Sequence, residues 1–192
     1  MREWVPVRTS TRGRLVLAAL NAFGDTAYDD VAVTELAGAA QVTTGALYHH
    51  FGSKLGLYEV VRADVEQRVL DRFEAAAAAA GEDRPPARAA LLAGFDFAVR
   101  EHFLRLMAAP PGTAASHRLG VGLAQACGVD EPVGRLLLAA WREALLAVAE
   151  GTDAAAARRA LTAIEVGADA SGEHPGGPLD GQPGGQPDER GR

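Results

Sequence analysis

Cysteine is almost absent from this chain: Cys127 is the single one in 192 residues, so no intramolecular disulfide can form and nothing argues for an oxidising compartment. Aromatic residues are scarce, at 6%, and no stretch alternates apolar and polar residues for long enough to build a sheet. No apolar run reaches the length of a membrane span, and the N-terminus lacks the hydrophobic core of a secretory signal, so a cytoplasmic location is expected. The chain also lacks the arrangements that carry catalysis: a nucleophile with a partnered base, a carboxylate pair, or metal-ligand spacing. His49 and His50 are neighbours, but adjacent helical positions point roughly 100° apart and no third ligand is near in sequence. Gly120-Val121-Gly122 has no strand before it and no third glycine, which excludes a dinucleotide fingerprint. Neither an enzyme nor a cofactor-binding protein is expected.

What is present is helical grammar. Hydrophobic residues make up 48% of the chain, ample for a core, and they recur with helical spacing. A first helix is predicted to run to about Phe23, burying Leu15, Val16, Ala19, Leu20 and Phe23 and closing at Gly24-Asp25. Ser53 should cap a long helix with Leu57, Tyr58, Val61, Val65, Val69 and Phe73 inside, running into the alanines 75–80 and stopping at Gly81. Beyond Pro86, one helix is predicted over Ala87–Ala108 and a weaker one over Ala115–Cys127. A strongly apolar helix should follow from Asp130 to Ala149, with Val133, Leu136, Leu137, Ala140, Trp141, Leu145 and Val148 inside, and a last one from Asp153 to about Val166. From Gly167 onward Gly, Pro, Asp and Gln dominate and Leu179 is the only large apolar residue, a composition that predicts disorder.

The most informative stretch is Val42–Lys54, VTTGALYHHFGSK. Thr43 or Thr44 can cap a short helix, Gly45 allows close backbone approach, and Leu47 and Phe51, four apart, face inward. Thr44, Ala46, Tyr48, His49 and His50 are left for the outer side. Just upstream, Val33–Ala40 reads as another short helix, with Val33, Leu36, Ala37 and Ala40 on one stripe. Two short helices joined by a few residues make a helix-turn-helix, whose second helix enters the DNA major groove. A net charge of −6 runs against the usual basic footprint of such domains, yet distribution matters more than the total. Arg2, Arg8, Arg12 and Arg14 crowd the start against Glu3 alone, and no acid lies between Gln41 and Lys54.

In order along the chain, Arg12, Phe23, Tyr28, Glu35-Leu36-Ala37, Leu47-Tyr48-His49-His50-Phe51 and Lys54 resemble the TetR family of bacterial transcriptional regulators. The likeness is strong from about Thr9 to Val69 and extends beyond only as helical layout. It implies an all-α protein: a three-helix DNA-binding domain over 9–69 with its helix-turn-helix at 32–51, a helical effector-binding and dimerisation domain over 70–166, and the tail 167–192. It implies that Tyr48, His50 and Lys54 meet phosphates, that Thr43, Thr44, Gly45, Ala46 and His49 face base edges, and that Arg8 and Arg12 reach the minor groove from an N-terminal arm.

Three departures from the family pattern stand out. Val31-Ala32 replaces the hydroxyl residue that caps the second helix, leaving Thr34 in the first turn as substitute; Gln41 and Ala27 stand where glycine is usual, and either is strained if its φ is positive.

The function implied is a sequence-specific repressor, a homodimer on a palindromic operator of double-stranded DNA, released by a small-molecule effector. The last two helices would pair with their copies. Phe95, Val99, His102, Phe103, Met107 and Trp141 are the candidate pocket, and few buried charges are evident, so an apolar or weakly polar effector is expected. The alternative is a helical interaction protein that keeps the fold without binding an operator. His102, taken on its own, reads as a hydrogen-bonded core histidine, and Cys127 as a small buried hydrophobe.

Overall fold

The computed structural model of the chain describes residues 10–81, 85–108 and 116–164, and every regular element among them is helical. Helix α1 (Thr11–Asp25) starts where the Ser10 hydroxyl accepts the Gly13 N–H at 3.0 Å, satisfying one of the donors a helix start leaves open. A 3-10 turn (Tyr28–Asp30) leads to the short helices α2 (Val33–Ala39) and α3 (Thr44–Phe51). Helix α4 (Lys54–Ala78) is capped by Ser53, whose hydroxyl accepts the Gly56 N–H at 2.9 Å. The expected domain boundary at residue 69 falls inside α4, which runs on without a break.

Leu15, Val16, Ala19 and Phe23 of α1, Val31, Leu36 of α2, Leu47 of α3 and Leu57, Tyr58 and Val61 of α4 are buried in one core. The rings of Phe23, Tyr28 and Tyr58 meet at centroid separations of 5.0 to 5.8 Å, each such pair adding about 0.5–1.5 kcal/mol beyond its area. That aromatic knot ties α1 and the 3-10 turn to α4. The N-terminal unit thereby packs around the helix-turn-helix through one shared core.

Beyond α4 come α5 (Pro86–Arg100), α6 (Leu104–Ala108), α7 (Ser116–Cys127), α8 (Glu131–Ala149) and α9 (Ala154–Thr162). The single helix predicted over 87–108 is two helices. Its apolar stripe, Leu91, Phe95, Phe103 and Leu106, is buried throughout, so the periodicity crosses the break and conceals it. The break is made by His102 at φ 60, a left-handed conformation that costs a residue with a Cβ roughly 1–2 kcal/mol, and the turn closes with Phe103 N–H on the Ala98 carbonyl at 2.9 Å. Helix α6 then packs on α1 and α8.

Helix α1 ends at Asp25, as expected, but Gly24 has a further part to play. It lies inside the helix, buried, and a Cβ there would stand 2.0 Å from the His102 carbonyl oxygen. Its role is to let α1 touch the α5–α6 turn, which joins the N-terminal unit to the rest. Gly134 does the same between α8 and α7, where a Cβ would be 2.6 Å from the Gly120 carbonyl oxygen. The glycines of α7 are therefore compensated by close packing rather than merely weakening it.

In α8, Leu137, Trp141 and Leu145 are buried as expected, but Leu136, predicted inside, is 71% exposed. The last helix begins after the Asp153 cap, whose carboxylate accepts the Ala156 N–H at 2.9 Å, and ends at Thr162 rather than Val166. The tail from 167 lies outside the described residues. No helix among those described is long and apolar enough to cross a membrane.

Candidate nucleic-acid interface

The turn before α3 is tight: Gln41 N–H reaches the Gly38 carbonyl at 3.0 Å and Val42 N–H the Ala37 carbonyl at 2.9 Å. Gln41 adopts φ 54, so the strain expected from placing a non-glycine residue here is present. Ala27, at φ −61, carries none. Thr43 is the cap of α3, its hydroxyl accepting the Ala46 N–H at 3.2 Å. Helix α3 is held from beneath by fully buried Leu47 and by Phe51, over whose ring the Arg12 guanidinium sits at 5.0 Å.

This anchoring turns one face outward. Thr43, Gly45, Tyr48 and His49 are exposed, while Thr44, Ala46 and His50 are half-buried on its flank. Tyr48 is 51% exposed, which excludes a core aromatic. The His49 and His50 rings meet edge-on at 5.2 Å, and no group of three or more metal-ligating side chains occurs among the described residues.

Helix α2 lacks a side-chain cap, since Ala32 holds that position. Thr34 does not replace it; the Glu35 carboxylate reaches back to the Ala32 N–H at 3.3 Å instead, leaving Thr34 exposed on the first turn. Arg8 lies outside the described residues. Arg12 belongs to the first turn of α1 rather than to an arm, and it is exposed beside the end of α3.

Lys54 requires a correction. Its ammonium is not turned outward toward a phosphate: Nζ donates to the carbonyls of Tyr28 at 2.8 Å and Val31 at 3.0 Å, and lies 4.2 Å from the centroid of the Tyr28 ring. These carbonyls belong to the first residue of the 3-10 turn and to the residue that follows it, just ahead of α2. Lys54 thus binds the start of α4 to the approach to α2, in the place where a capping hydroxyl is missing. Sequence spacing could not show this, because the partners lie 23 and 26 residues away.

Of the residues expected to line an effector pocket, Phe95, Phe103, Met107 and Trp141 are buried in one core and Val99 is half-buried against it. The Trp141 ring meets Phe73 edge-on at 5.5 Å, and its indole N–H is buried without a partner. His102 is not among them. It is exposed at the α5–α6 turn, with Nδ1 3.7 Å from the Asp25 carboxylate, so it is neither a pocket residue nor a core histidine.

The expectation of few buried charges also fails. Arg62 and Glu66 on α4 are 3% and 6% exposed and paired at 2.7 Å. The steps of four from Tyr58 to Arg62 and from Arg62 to Glu66 were the signal available, since they place both on the buried stripe. Cys127 is half-buried, and burial pushes its thiol up to about 11, which makes it unreactive at neutral pH.

Residues 15–61 match the family model for bacterial regulatory proteins of the tetR family. The chain is 36% identical over 90 residues to the HTH-type transcriptional activator FasR of Mycolicibacterium smegmatis. That match takes in 47% of this chain and 41% of the relative, so the chain spans well under half the length of the curated relative. A tetR-family transcriptional regulator from Pectobacterium atrosepticum has the same fold, with a TM-score of 0.61 at 24% identity, over 80% of this chain and 89% of that one. A tetR-family regulator from Streptomyces coelicolor matches with a TM-score of 0.55 at 25% identity, over 79% and 77% of the two chains. The helix order, the capped and anchored α3 and these likenesses agree: residues 15–61 match the DNA-binding region of the tetR family of bacterial regulatory proteins, and the helices beyond them follow the fold of solved tetR-family regulators.

Proposed function

We propose that this chain is a dimeric, sequence-specific DNA-binding regulator of transcription that responds to a small molecule. The observation that carries the reading is the face of α3, where side chains able to reach DNA project from a helix held by Leu47, Phe51 and Arg12. In this reading Tyr48, His50, Thr34 and Arg12 meet phosphates and fix the register, while Thr43, Thr44, Gly45, Ala46 and His49 approach base edges. None of the base-facing group is Arg, Asn or Gln, so groove shape contributes to selectivity. Arg8 would reach the minor groove, and Lys54 acts as a brace.

Dimerisation is assigned to the outer side of α8 and α9. Exposed Leu136 and a shallow groove of about 380 Å³ between Ala140, Ala144 and Ala147 of α8 and Ala156 and Ala160 of α9, with Ile164 just beyond α9, support it. Small side chains let helices approach closely, and a two-fold pair would place two α3 helices in successive major grooves. The effector would enter the core around Phe95, Val99, Phe103, Met107 and Trp141, where the unpartnered indole N–H offers a donor. Repression is the mode adopted, because occupancy of an operator blocks a promoter with no further contact; FasR, by contrast, is named as an activator.

Mobility shift with DNA from upstream of the gene itself, and a reporter driven by that DNA, test this reading. Salt-sensitive binding and higher reporter output on deletion of the protein are expected. Absence of binding would leave a helical interaction protein, and lower output on deletion would make the protein an activator.

A further inference from the structure

A cleft of about 280 Å³ opens on the flank of the helix-turn-helix, between α1 and the turn that joins α2 to α3. Leu17 and Ala18 of α1 and Ala39 and Ala40 at the end of α2 give it an apolar lining, and Arg14, Asn21 and Gln41 supply its polar groups. Arg14 is half-buried, and its Nε is buried without a hydrogen-bond partner. Among the described residues no acid lines the cleft. The one acid of α1 is Asp25 at its end, and the one acid of α2 is Glu35 in its first turn. The cleft is therefore a recess with a guanidinium in its wall and an N–H donor unsatisfied.

Gln41 supplies a second, independent observation. It holds φ 54, a conformation that glycine adopts freely and that costs a residue with a Cβ. The turn itself does not call for a side chain here, because it closes through the backbone, with Gln41 N–H on the Gly38 carbonyl and Val42 N–H on the Ala37 carbonyl. The side chain is exposed and lines the cleft together with Arg14. Strain kept at an exposed turn, beside an unsatisfied cationic donor, points to work for the side chain.

The place of the cleft says what that work is. Tyr48 and His50 stand in the second half of α3, Arg12 lies against Phe51 at its end, and Thr34 opens α2 near the Lys54 brace. These phosphate-facing groups gather at one end of α3, whereas the cleft adjoins the other, two residues before the Thr43 cap. A major groove has two walls of phosphates, about 12 Å apart. We propose that the cleft of Arg14, Asn21 and Gln41 seats a phosphodiester of the DNA backbone on the wall opposite the one met by Tyr48 and His50. Arg14 grips it with Nε and one Nη, and the amides of Gln41 and Asn21 add neutral N–H donors. The contact carries no sequence information; it sets how deeply the N-terminal end of α3 enters the groove. This assignment rests on the reading of the chain as a DNA-binding regulator and adds three side chains outside those that carry the tetR likeness.

The test is fluorescence anisotropy of the full chain on a labelled duplex from upstream of the gene, across a range of salt. Arg14→Gln should weaken binding about tenfold on every sequence and lower the slope of log K against log salt by about 0.9 per subunit, and Arg14→Lys should restore the slope. Gln41→Gly should bind about threefold or more weakly while unfolding at a higher denaturant concentration than wild type, an opposition that a purely structural role does not produce. Equal slopes and affinities in wild type and Arg14→Gln, both shown to be folded by thermal unfolding, would overturn the proposal and leave the regulator standing. Stabilisation of wild type but not of Arg14→Gln by inorganic phosphate, with equal DNA slopes, would overturn it in favour of a site for a free anion. Absence of salt-sensitive DNA binding in wild type would overturn the regulator and the phosphate cleft together.

Discussion

Replacing Lys54 by methionine keeps the aliphatic stem and removes the ammonium, which isolates what the charge does. Two charge-assisted hydrogen bonds to the Tyr28 and Val31 carbonyls and one contact with the Tyr28 ring are lost. Hydrogen bonds to charged groups contribute about 1.5–3 kcal/mol each; because Lys54 is only half-buried, the low end applies, and the cation–π contact adds about 0.5–1 kcal/mol. The sum is about 3.5–4 kcal/mol, which in a chain of this size lowers the Tm by roughly 7–16 °C. Differential scanning calorimetry measures that shift. The salt dependence of DNA binding gives the complementary reading, since each phosphate neutralised contributes about 0.9 to the slope of log K against log salt concentration. A brace predicts a large fall in Tm and an unchanged slope. An unchanged Tm with a slope reduced by about 0.9 per subunit would refute the reasoning and return Lys54 to the phosphate backbone.

Gly24→Ala should force α1 away from the α5–α6 turn, because the added carbon meets a backbone oxygen that cannot swing aside; overpacking of this kind costs about 1–3 kcal/mol, and an unchanged Tm would refute the close approach. Gln41→Gly should raise stability by about 1 kcal/mol in denaturant unfolding, as the left-handed φ of 54 is relieved; a loss of stability would show that the side chain matters more than the backbone. Leu136→Arg should weaken self-association by at least about tenfold in sedimentation equilibrium, since a buried charge at a helix seam costs more than 1.4 kcal/mol. A dimer of undiminished affinity would move the interface elsewhere.

Much of this fold was legible because helical stripes and caps are local. Leu15, Ala19 and Phe23, or Val61, Val65 and Val69, announce their buried faces within a few residues, and Ser53 and Asp153 announce helix starts. The outer face of α3 was legible for the same reason, once Leu47 and Phe51 set which side is inward. What the sequence concealed depends on distant partners. The break at His102 lies inside an unbroken apolar stripe, and the helix packed closely against it is carried there by Gly24, far away in the chain. Lys54 reads as a surface cation until the Tyr28 and Val31 carbonyls are placed beside it. Leu136 shows the opposite case: its apolar character was read as core, although within a single chain it faces outward.

The central claim, that the face of α3 holds DNA, is tested most directly by fluorescence anisotropy with labelled upstream DNA across a range of salt, comparing wild type with Tyr48→Phe and Thr44→Ala. The account predicts salt-dependent binding by wild type, a weaker affinity for every sequence in Tyr48→Phe, and altered preference between sequences in Thr44→Ala, whose lost contact is worth about 1–3 kcal/mol at one base position. Equal affinities and equal preferences in all three proteins, each shown to be folded, would contradict it.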